Sequence, residues 1–305
     1  MKLDEFGLID KFARMTKPGT NVIVGIGDDA AVLKSKTKGF YDLFTCDAIV
    51  EDVHFKLADG ARKIGYKAVA VNVSDIAAMG GIPSAAVVAA GISKKISTKF
   101  CEEIYSGILF ACRKFGVEIV GGDTVRSKGL FISIAMTGVV EKGNITFRKG
   151  AAPGDTVMVT GRLGHSLKGK HLTFIPRIKE ARWLACKFPV HSMMDISDGL
   201  AGDLKRMCDA SKCGAVIFAE KVPIERTLKK PRKNVSLKHA FTDGEDFELL
   251  FTVSPRVAAK LEKDFNRKFK VKVSKVGVII KGEKLFLESE GKKTPLKFRG
   301  YSHFG

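Results

Sequence analysis

The sequence predicts an α/β protein, α+β in its finer detail, made of two domains, and three observations carry that expectation. Its 305 residues are about twice an ordinary domain length. Strand-like and helix-like stretches alternate in both halves. A break rich in glycine, proline and charge over 148–154 (Arg-Lys-Gly-Ala-Ala-Pro-Gly) separates the halves, which puts the domains at 1–148 and 149–305.

Taken in order, Leu3, Phe6, Leu8, Ile9 and Phe12 recur with the spacing of an amphipathic helix. Strand-like runs follow at 22–26, 29–33 and 40–46. Residues 61–79 form a mostly apolar helix stopped by Gly80 and Gly81, and 84–92 a buried strand. A second helix covers 97–115, with strands at 117–121 and 130–140. The second domain repeats the mixture: strand 156–160, helix 177–187, strand 191–195, helix 198–211, strand 214–218, strand 248–253, helix 255–265, and strands 271–279 and 284–287.

Composition narrows the class. With 45% hydrophobic and 28% charged residues the chain is too apolar to be disordered. The longest uncharged stretch, Ile76 to Ile92, is broken by Gly80, Gly81, Pro83 and Ser84, so no membrane span is expected. Asp4 and Glu5 stand where an export signal needs bases. The six cysteines form no C-x-x-C pair and read as reduced core thiols, so a cytoplasmic protein is expected. The formal charge of +19 is concentrated in 221–305. Scattered lysines without interleaved aromatics read as a solvated exterior, with a basic nucleic-acid-binding protein as the reading from another class.

In so basic a chain the aspartates are informative, because they gather beside glycines at the ends of apolar runs: Gly27-Asp28-Asp29, Thr45-Cys46-Asp47, Ser74-Asp75, Gly121-Gly122-Asp123-Thr124, Asp195-Ile196-Ser197-Asp198-Gly199 and Gly244-Glu245-Asp246. Each alone fits turn chemistry or a helix N-cap. Together they require cations, since two carboxylates about 4 Å apart repel by about 4 kcal/mol at an effective dielectric of 20. Oxygen donors without a His or Cys cluster select Mg²⁺, Mn²⁺ or Ca²⁺, and Mg²⁺ points to phosphoryl chemistry. Asp75 falls inside the apolar helix, where a lone acid is costly, and Asn72 precedes it on the same face. Gly164-His-Ser-Leu-Lys-Gly-Lys-His171 nearly spells a phosphate-binding loop, but His171 stands where a Ser or Thr must hold Mg²⁺. The protein-kinase signatures are absent. His54, Tyr105 and Arg148 lie beside the acidic clusters, and each alone fits a structural role.

These motifs together resemble the thiamine-monophosphate kinase family, within the superfamily of aminoimidazole ribonucleotide synthetase-like ATP enzymes. The resemblance rests on Gly25-Ile-Gly-Asp-Asp-Ala-Ala-Val32, Thr45-Cys-Asp-Ala-Ile-Val-Glu-Asp-Val-His-Phe55, Val71-Asn-Val-Ser-Asp-Ile-Ala-Ala-Met-Gly80, Gly121-Gly-Asp-Thr124, Asp195-Ile-Ser-Asp-Gly-Leu200, Asp243-Gly-Glu-Asp-Phe-Glu-Leu-Leu250 and Gly300-Tyr-Ser-His-Phe304. It implies an N-terminal ATP- and Mg²⁺-binding domain whose sheet pairs with a second subunit's in a homodimer, and a C-terminal α/β domain. It implies Mg²⁺ on Asp29, Thr45, Cys46 (through its backbone oxygen), Asp47, Asp75, Asp123, Asp195 and Asp198. ATP is implied near Tyr105, Gly122, Arg148 and Ser197, and thiamine monophosphate near His54, Glu245 and Tyr301. Cys46 replaces a common Thr or Ser, Asp52 replaces a common Gly, and the segment 161–176 is shorter than in relatives.

The activity so implied is transfer of the γ-phosphoryl group of ATP to thiamine monophosphate, giving thiamine diphosphate and ADP. A phosphate monoester is already ionised at neutral pH, so no side chain is expected to act as general base. Other ATP enzymes of the superfamily are the nearest alternative. Against selenophosphate synthetase stands the lack of a reactive cysteine in a glycine-rich N-terminal segment, and against a hydrogenase-maturation protein the ending Ser302-His-Phe-Gly305, which carries no cysteine.

Overall fold

The computed structural model describes residues 5–225 and 233–304; Leu3 of the expected first helix lies outside them. The first half contains α1 (Glu5–Met15), β1 (Val22–Val24), β2 (Ala31–Lys34), β3 (Phe40–Val50), α2 (Ala61–Ala78), β4 (Ile82–Ile92), α3 (Thr98–Phe115), β5 (Glu118–Arg126) and β6 (Phe131–Glu141). Its six strands form one sheet in the order β1-β2-β3-β6-β4-β5, antiparallel except for the parallel pair β4 and β5.

The second half contains β7 (Thr156–Thr160), α4 (Ile178–Lys187), β8 (Val190–Asp195), α5 (Leu200–Ser211), β9 (Gly214–Phe218), α6 (Lys233–Thr242), β10 (Leu249–Val253), α7 (Pro255–Lys268), β11 (Val273–Ile280), β12 (Leu285–Ser289) and β13 (Lys292–Pro295). Seven strands build its sheet in the order β13-β12-β9-β11-β7-β10-β8. No helix among the described residues is long and apolar enough to cross a membrane.

The expected elements are present with shifted ends, and two were not expected. The α6 segment carries no marked apolar stripe, and β13 reads Lys-Lys-Thr-Pro on an exposed edge. β5 also runs on through Gly121 and Gly122 to Arg126 rather than stopping at 121, because its partner β4 supplies a continuous parallel ladder to that point. The cysteines depart from expectation more clearly. All six are free, but only Cys112, Cys208 and Cys213 are buried, while Cys46 and Cys186 are exposed.

The helix α2 is the centre of the molecule. It is buried nearly all round, including polar Lys67, Asn72 and Ser74, and it contacts α3, the first sheet, α4 and β8. Such a helix needs neighbours on every face, and glycines let one come very close. A methyl group on Gly65 would sit 2.0 Å from the Ile104 carbonyl oxygen, and one on Gly107 would sit 2.1 Å from that of Arg62. The two domains are joined by polar contacts of good geometry. Arg182 forms a two-pronged ion pair with Glu141 at 2.5 and 2.8 Å and donates to the Gly80 carbonyl at 2.9 Å. The Met193 amide donates to the Phe147 carbonyl at 2.8 Å, and Ser74 Oγ donates to Asp195 at 2.5 Å.

Because backbone meets backbone at these glycines, neither helix has a side chain that can swing aside. Gly107→Ala should lower the unfolding free energy by about 2–4 kcal/mol. Gly143→Ala, where an added methyl meets nothing within 4 Å, should change it by less than about 0.5 kcal/mol. Urea unfolding of the two variants checks this, and equal midpoints would contradict the close approach.

Candidate active site

Five of the six acidic clusters contribute to one cavity of about 900 Å³ between the two domains. Local rules place each group. Side chains alternate along β3, so Thr45 and Asp47 share the face toward α2, where Asp75 and Asn72 bond to them. The Cys46 thiol turns to the other face and lies 3.5 Å from Ser133 Oγ, leaving only its backbone oxygen for the cavity. On α2, Lys67, Val71 and Asp75 follow one another at intervals of four and line the cavity together. Asp195 closes β8, and Ser197 and Asp198 occupy the turn into α5.

Hydrogen bonds and two arginines hold these carboxylates. Thr45 Oγ1 donates to Asp75 at 2.7 Å. Arg148 Nη2 reaches Asp29 Oδ1 at 2.6 Å, while the Arg148 amide donates to the two Asp28 oxygens at 3.1 and 3.2 Å. Arg206 pairs with both Asp198 and Asp203. Desolvation first, then the neighbouring carboxylates, push Asp75 and Asp195 well above the usual range. Burial with Asp198 and Asp29 raises Asp47 to about 6, and burial with Asp29 raises Asp28 to about 7. Burial and crowding thus disfavour the charged form of Asp28, Asp47, Asp75 and Asp195.

A hard divalent cation fits this site. The donors are all oxygen, and Asp29 Oδ2 is buried with no hydrogen-bond partner, an arrangement that costs stability unless something binds there. Asp29, Thr45, Asp47, Asp75, Asp195 and Asp198 line the cavity and can serve as ligands. Asn72, expected to present its oxygen beside Asp75, does not: its Oδ1 accepts the Asp47 amide at 3.0 Å and its Nδ2 donates to the Ala68 carbonyl. It fixes β3 against α2.

Opposite the carboxylates, Lys67 is fully buried and reaches Glu245 Oε2 at 2.7 Å and the His54 carbonyl at 2.7 Å. His54 Nδ1 accepts the Val50 amide at 3.0 Å, which leaves any ring proton on Nε2. Burial, Lys67 and His303 lower its pKa to about 4, so the ring is neutral at pH 7. The His303 ring lies 5.2 Å from His54 and 5.1 Å from Tyr301, which stands just outside the cavity with its amide bonded to the Asp198 carbonyl at 2.9 Å. Asp52 has φ 63°. That left-handed geometry suits a glycine and is tolerated by aspartate.

Lys67, Asp28, Asp203 and Arg206 were missed as site residues. The signal for Lys67 was available, since it is a charge within an apolar helix, two turns before Asp75 on the same face. Tyr105, Gly122 and Asp123 are not brought to the acidic cavity of their own chain. They line a second cavity of about 720 Å³ beside α3, β4 and β5. The near-miss phosphate loop makes two short 3₁₀ turns rather than a helix N-terminus, and Lys170 donates to the Arg162 carbonyl at 2.9 Å and faces Glu248 at 3.4 Å. It has the contacts of a structural lysine.

The chain matches the N-terminal domain model of AIR synthase related proteins over residues 27–140 and the corresponding C-terminal domain model over 154–290. It is 40% identical over 276 residues to a thiamine-monophosphate kinase of Rhodopirellula baltica, covering 87% of this chain and 86% of that one. It is 34% identical to the thiamine-monophosphate kinase of Bacillus subtilis, covering 99% of this chain and all of the other. A solved structure described as AaThiL complexed with AMPPCP and TMP superposes with a TM-score of 0.85 at 30% identity, covering 100% of this chain and 99% of that one. The E. coli hydrogenase maturation protein HypE shares the fold at 17% identity with a TM-score of 0.73, covering 86% of this chain and 87% of that one.

The raised pKa of Asp47 has a measurable sign. A carboxylate held at about 6 in the folded state against 3.8 ordinarily favours folding below about pH 4, and this contribution is lost as pH rises through 6. In metal-free buffer the stability of the parent minus that of Asp47→Asn should therefore fall by on the order of 2 kcal/mol between pH 4 and 8. Taking the difference cancels the opposing titration of His54. A difference that is flat or rises with pH would contradict the crowding.

Proposed function

The chain belongs to the thiamine-monophosphate kinase family, and from that membership we propose that it transfers the γ-phosphoryl group of ATP to thiamine monophosphate, releasing thiamine diphosphate and ADP. The observation that carries this reading is the convergence of Asp29, Asp47, Asp75, Asp195 and Asp198 on one cavity, where burial and mutual repulsion raise Asp47, Asp75 and Asp195 above the usual carboxylate range. Mg²⁺ held there by these residues, with Thr45 and the Cys46 carbonyl, supplies positive charge to neutralise two phosphate chains.

The chain's own groups have separable tasks. Arg148 and Ser197 lie on the ATP side of the cavity, with Arg148 anchored by Asp29. His54, Glu245 and Tyr301 lie toward the thiamine phosphate, and Lys67 braces Glu245 and the His54 backbone. An oxygen of the acceptor phosphate forms the new bond to the γ-phosphorus as the bond to the ADP oxygen breaks. That acceptor has no proton to remove above about pH 6, so positioning and charge replace a general base.

We place the second half of the site across a homodimer. β5 is an edge strand, yet Val120 and Val125 are 65% and 45% exposed, and Val87 beside it is 41% exposed. Parallel strands are ordinarily buried on both faces, and pairing this sheet with a partner's covers them. Tyr105, Gly122 and Asp123 of one subunit then serve the acidic cavity of the other, with the domain division at 148/149. The free thiols are compatible with a cytoplasmic setting.

The direct test mixes purified protein, Mg²⁺, ATP and thiamine monophosphate and measures thiamine diphosphate and ADP. Asp47→Asn should lower turnover by about a thousandfold or more with the fold intact, whereas near-normal activity at limiting Mg²⁺ would remove Asp47 from the site.

Mixing inactive Asp47→Asn and Asp123→Asn proteins tests the shared site. Subunit exchange should restore about a quarter of parental activity, because half the dimers then contain one intact site. No recovery despite demonstrated exchange would place Asp123 in the cavity of its own chain.

For His54, replacement by Asn should raise the KM for thiamine monophosphate and leave that for ATP unchanged. The acidic limb of the pH profile, near 6, should persist, since a ring with a pKa of about 4 does not set it. Its disappearance in the variant would assign the limb to His54.

A further inference from the structure

Outside the acidic cavity, one group of side chains among the described residues brings metal-ligating atoms together: His165, His239 and Asp243, whose ligand atoms all lie within 4.8 Å of one another. We propose that these three residues form a second metal site, specific for a divalent transition ion of the zinc type, that fastens the loop after β7 to helix α6.

Three independent features build the site. His239 and Asp243 are four apart at the end of α6, so they share one helix face, and His239 Nδ1 lies 2.8 Å from the carboxylate. The loop is seated on this helix backbone to backbone: an added methyl at Gly164 would meet the Ala240 amide nitrogen at 2.6 Å. That contact delivers the His165 ring to within 4.2 Å of the His239 ring, centre to centre. His165 has φ 62°, a left-handed conformation that costs free energy in a β-substituted residue and persists where surroundings impose it.

The decisive feature is the imidazole of His165. The residue is 7% exposed, and both ring nitrogens are buried without a hydrogen-bond partner. Buried imidazoles ordinarily find partners, so two unmet nitrogens beside a second histidine and a carboxylate describe a ligand set. Burial, His239 and Lys168 also depress the pKa of His165, which keeps it in the unprotonated form that binds metal. The ion takes the place of the His239–Asp243 hydrogen bond, and the proton of the neutral His239 ring moves from Nδ1 to Nε2. Two imidazoles and one carboxylate favour Zn²⁺, Co²⁺ or Ni²⁺ over Mg²⁺, which prefers oxygen. A fourth position remains for water.

The clip holds the near-miss phosphate loop in place from one side, while Asp246 holds it from the other by accepting the Gly164 amide at 2.9 and 3.0 Å and the Ser166 hydroxyl. Together they fix the loop after β7 between α6 and the segment before β10.

Cobalt is the probe, because a low-symmetry site of this kind absorbs visibly. The full-length protein, stripped with chelator and returned to saturating Mg²⁺ to occupy the acidic cavity, is titrated with Co²⁺. One equivalent should give a saturable visible band that equimolar Zn²⁺ abolishes and further Mg²⁺ does not, and Zn²⁺ should raise the melting temperature. His239→Ala, on a half-exposed position, and His165→Asn, which tolerates the left-handed backbone, should each weaken Co²⁺ binding at least about tenfold. Both should keep kinase turnover in Mg²⁺ alone. Asp47→Asn should keep the band. No saturable band, a band unchanged in both histidine variants, or one lost in Asp47→Asn would overturn the proposal; the last would assign the ion to the acidic cavity. The outcome does not depend on the identity of the kinase substrate.

Discussion

The organising constraint of this molecule is mutual repulsion among carboxylates gathered where two domains meet. Asp29, Asp47, Asp75, Asp195 and Asp198 come from four separate stretches of chain, and none would choose the others' company in the absence of a cation. The fold holds them by force from outside the cluster. Thr45 and Ser74 each bond one carboxylate, Arg148 and Arg206 brace others, and Glu141 with Arg182 pins the domains together. The protein thus keeps an unfavourable concentration of carboxylates at its centre, which burial and mutual repulsion hold above their usual pKa range at Asp47, Asp75 and Asp195.

Helix α2 makes that arrangement affordable in structural terms. Its apolar length is buried by the first sheet, by α3 at glycine-to-backbone contact, and by α4. With its flanks so committed, it can carry polar groups inward: Lys67 to Glu245, Asp75 to Thr45, and Ser74 across to Asp195 of the second domain. A helix with a solvent face would let these side chains escape to water. Rigidity here is a condition of the chemistry, because a shift of α2 would move both sides of the cavity at once.

Much of this was legible in the sequence, and the reasons are specific. Aspartates next to glycines at the ends of apolar runs marked the acidic cavity, and the long apolar run stopped by Gly80 and Gly81 marked α2. Ligand geometry was less legible, because residue type does not tell which way an amide points: Asn72 supports β3 instead of facing the cavity. Asp123, Gly122 and Tyr105 show a different limit. They sit in a groove apart from the other site residues, and spacing along the chain does not tell which groove a motif will line. α6 and β13 escaped notice because neither has an apolar period for a pattern to detect. Lys67, by contrast, was legible as a charge inside the apolar helix, although its partner Glu245 is far away in sequence.

At the mouth of the cavity the His303 amide donates to Glu5 Oε2 at 2.9 Å, across a separation of 298 residues, and the His303 ring rests near His54. The rim is therefore one fastening with two ends: loss of Glu5 or of the segment around His303 undoes the same bond. The part of the cavity nearest His54 depends at once on two segments that are almost as far apart in sequence as the chain allows.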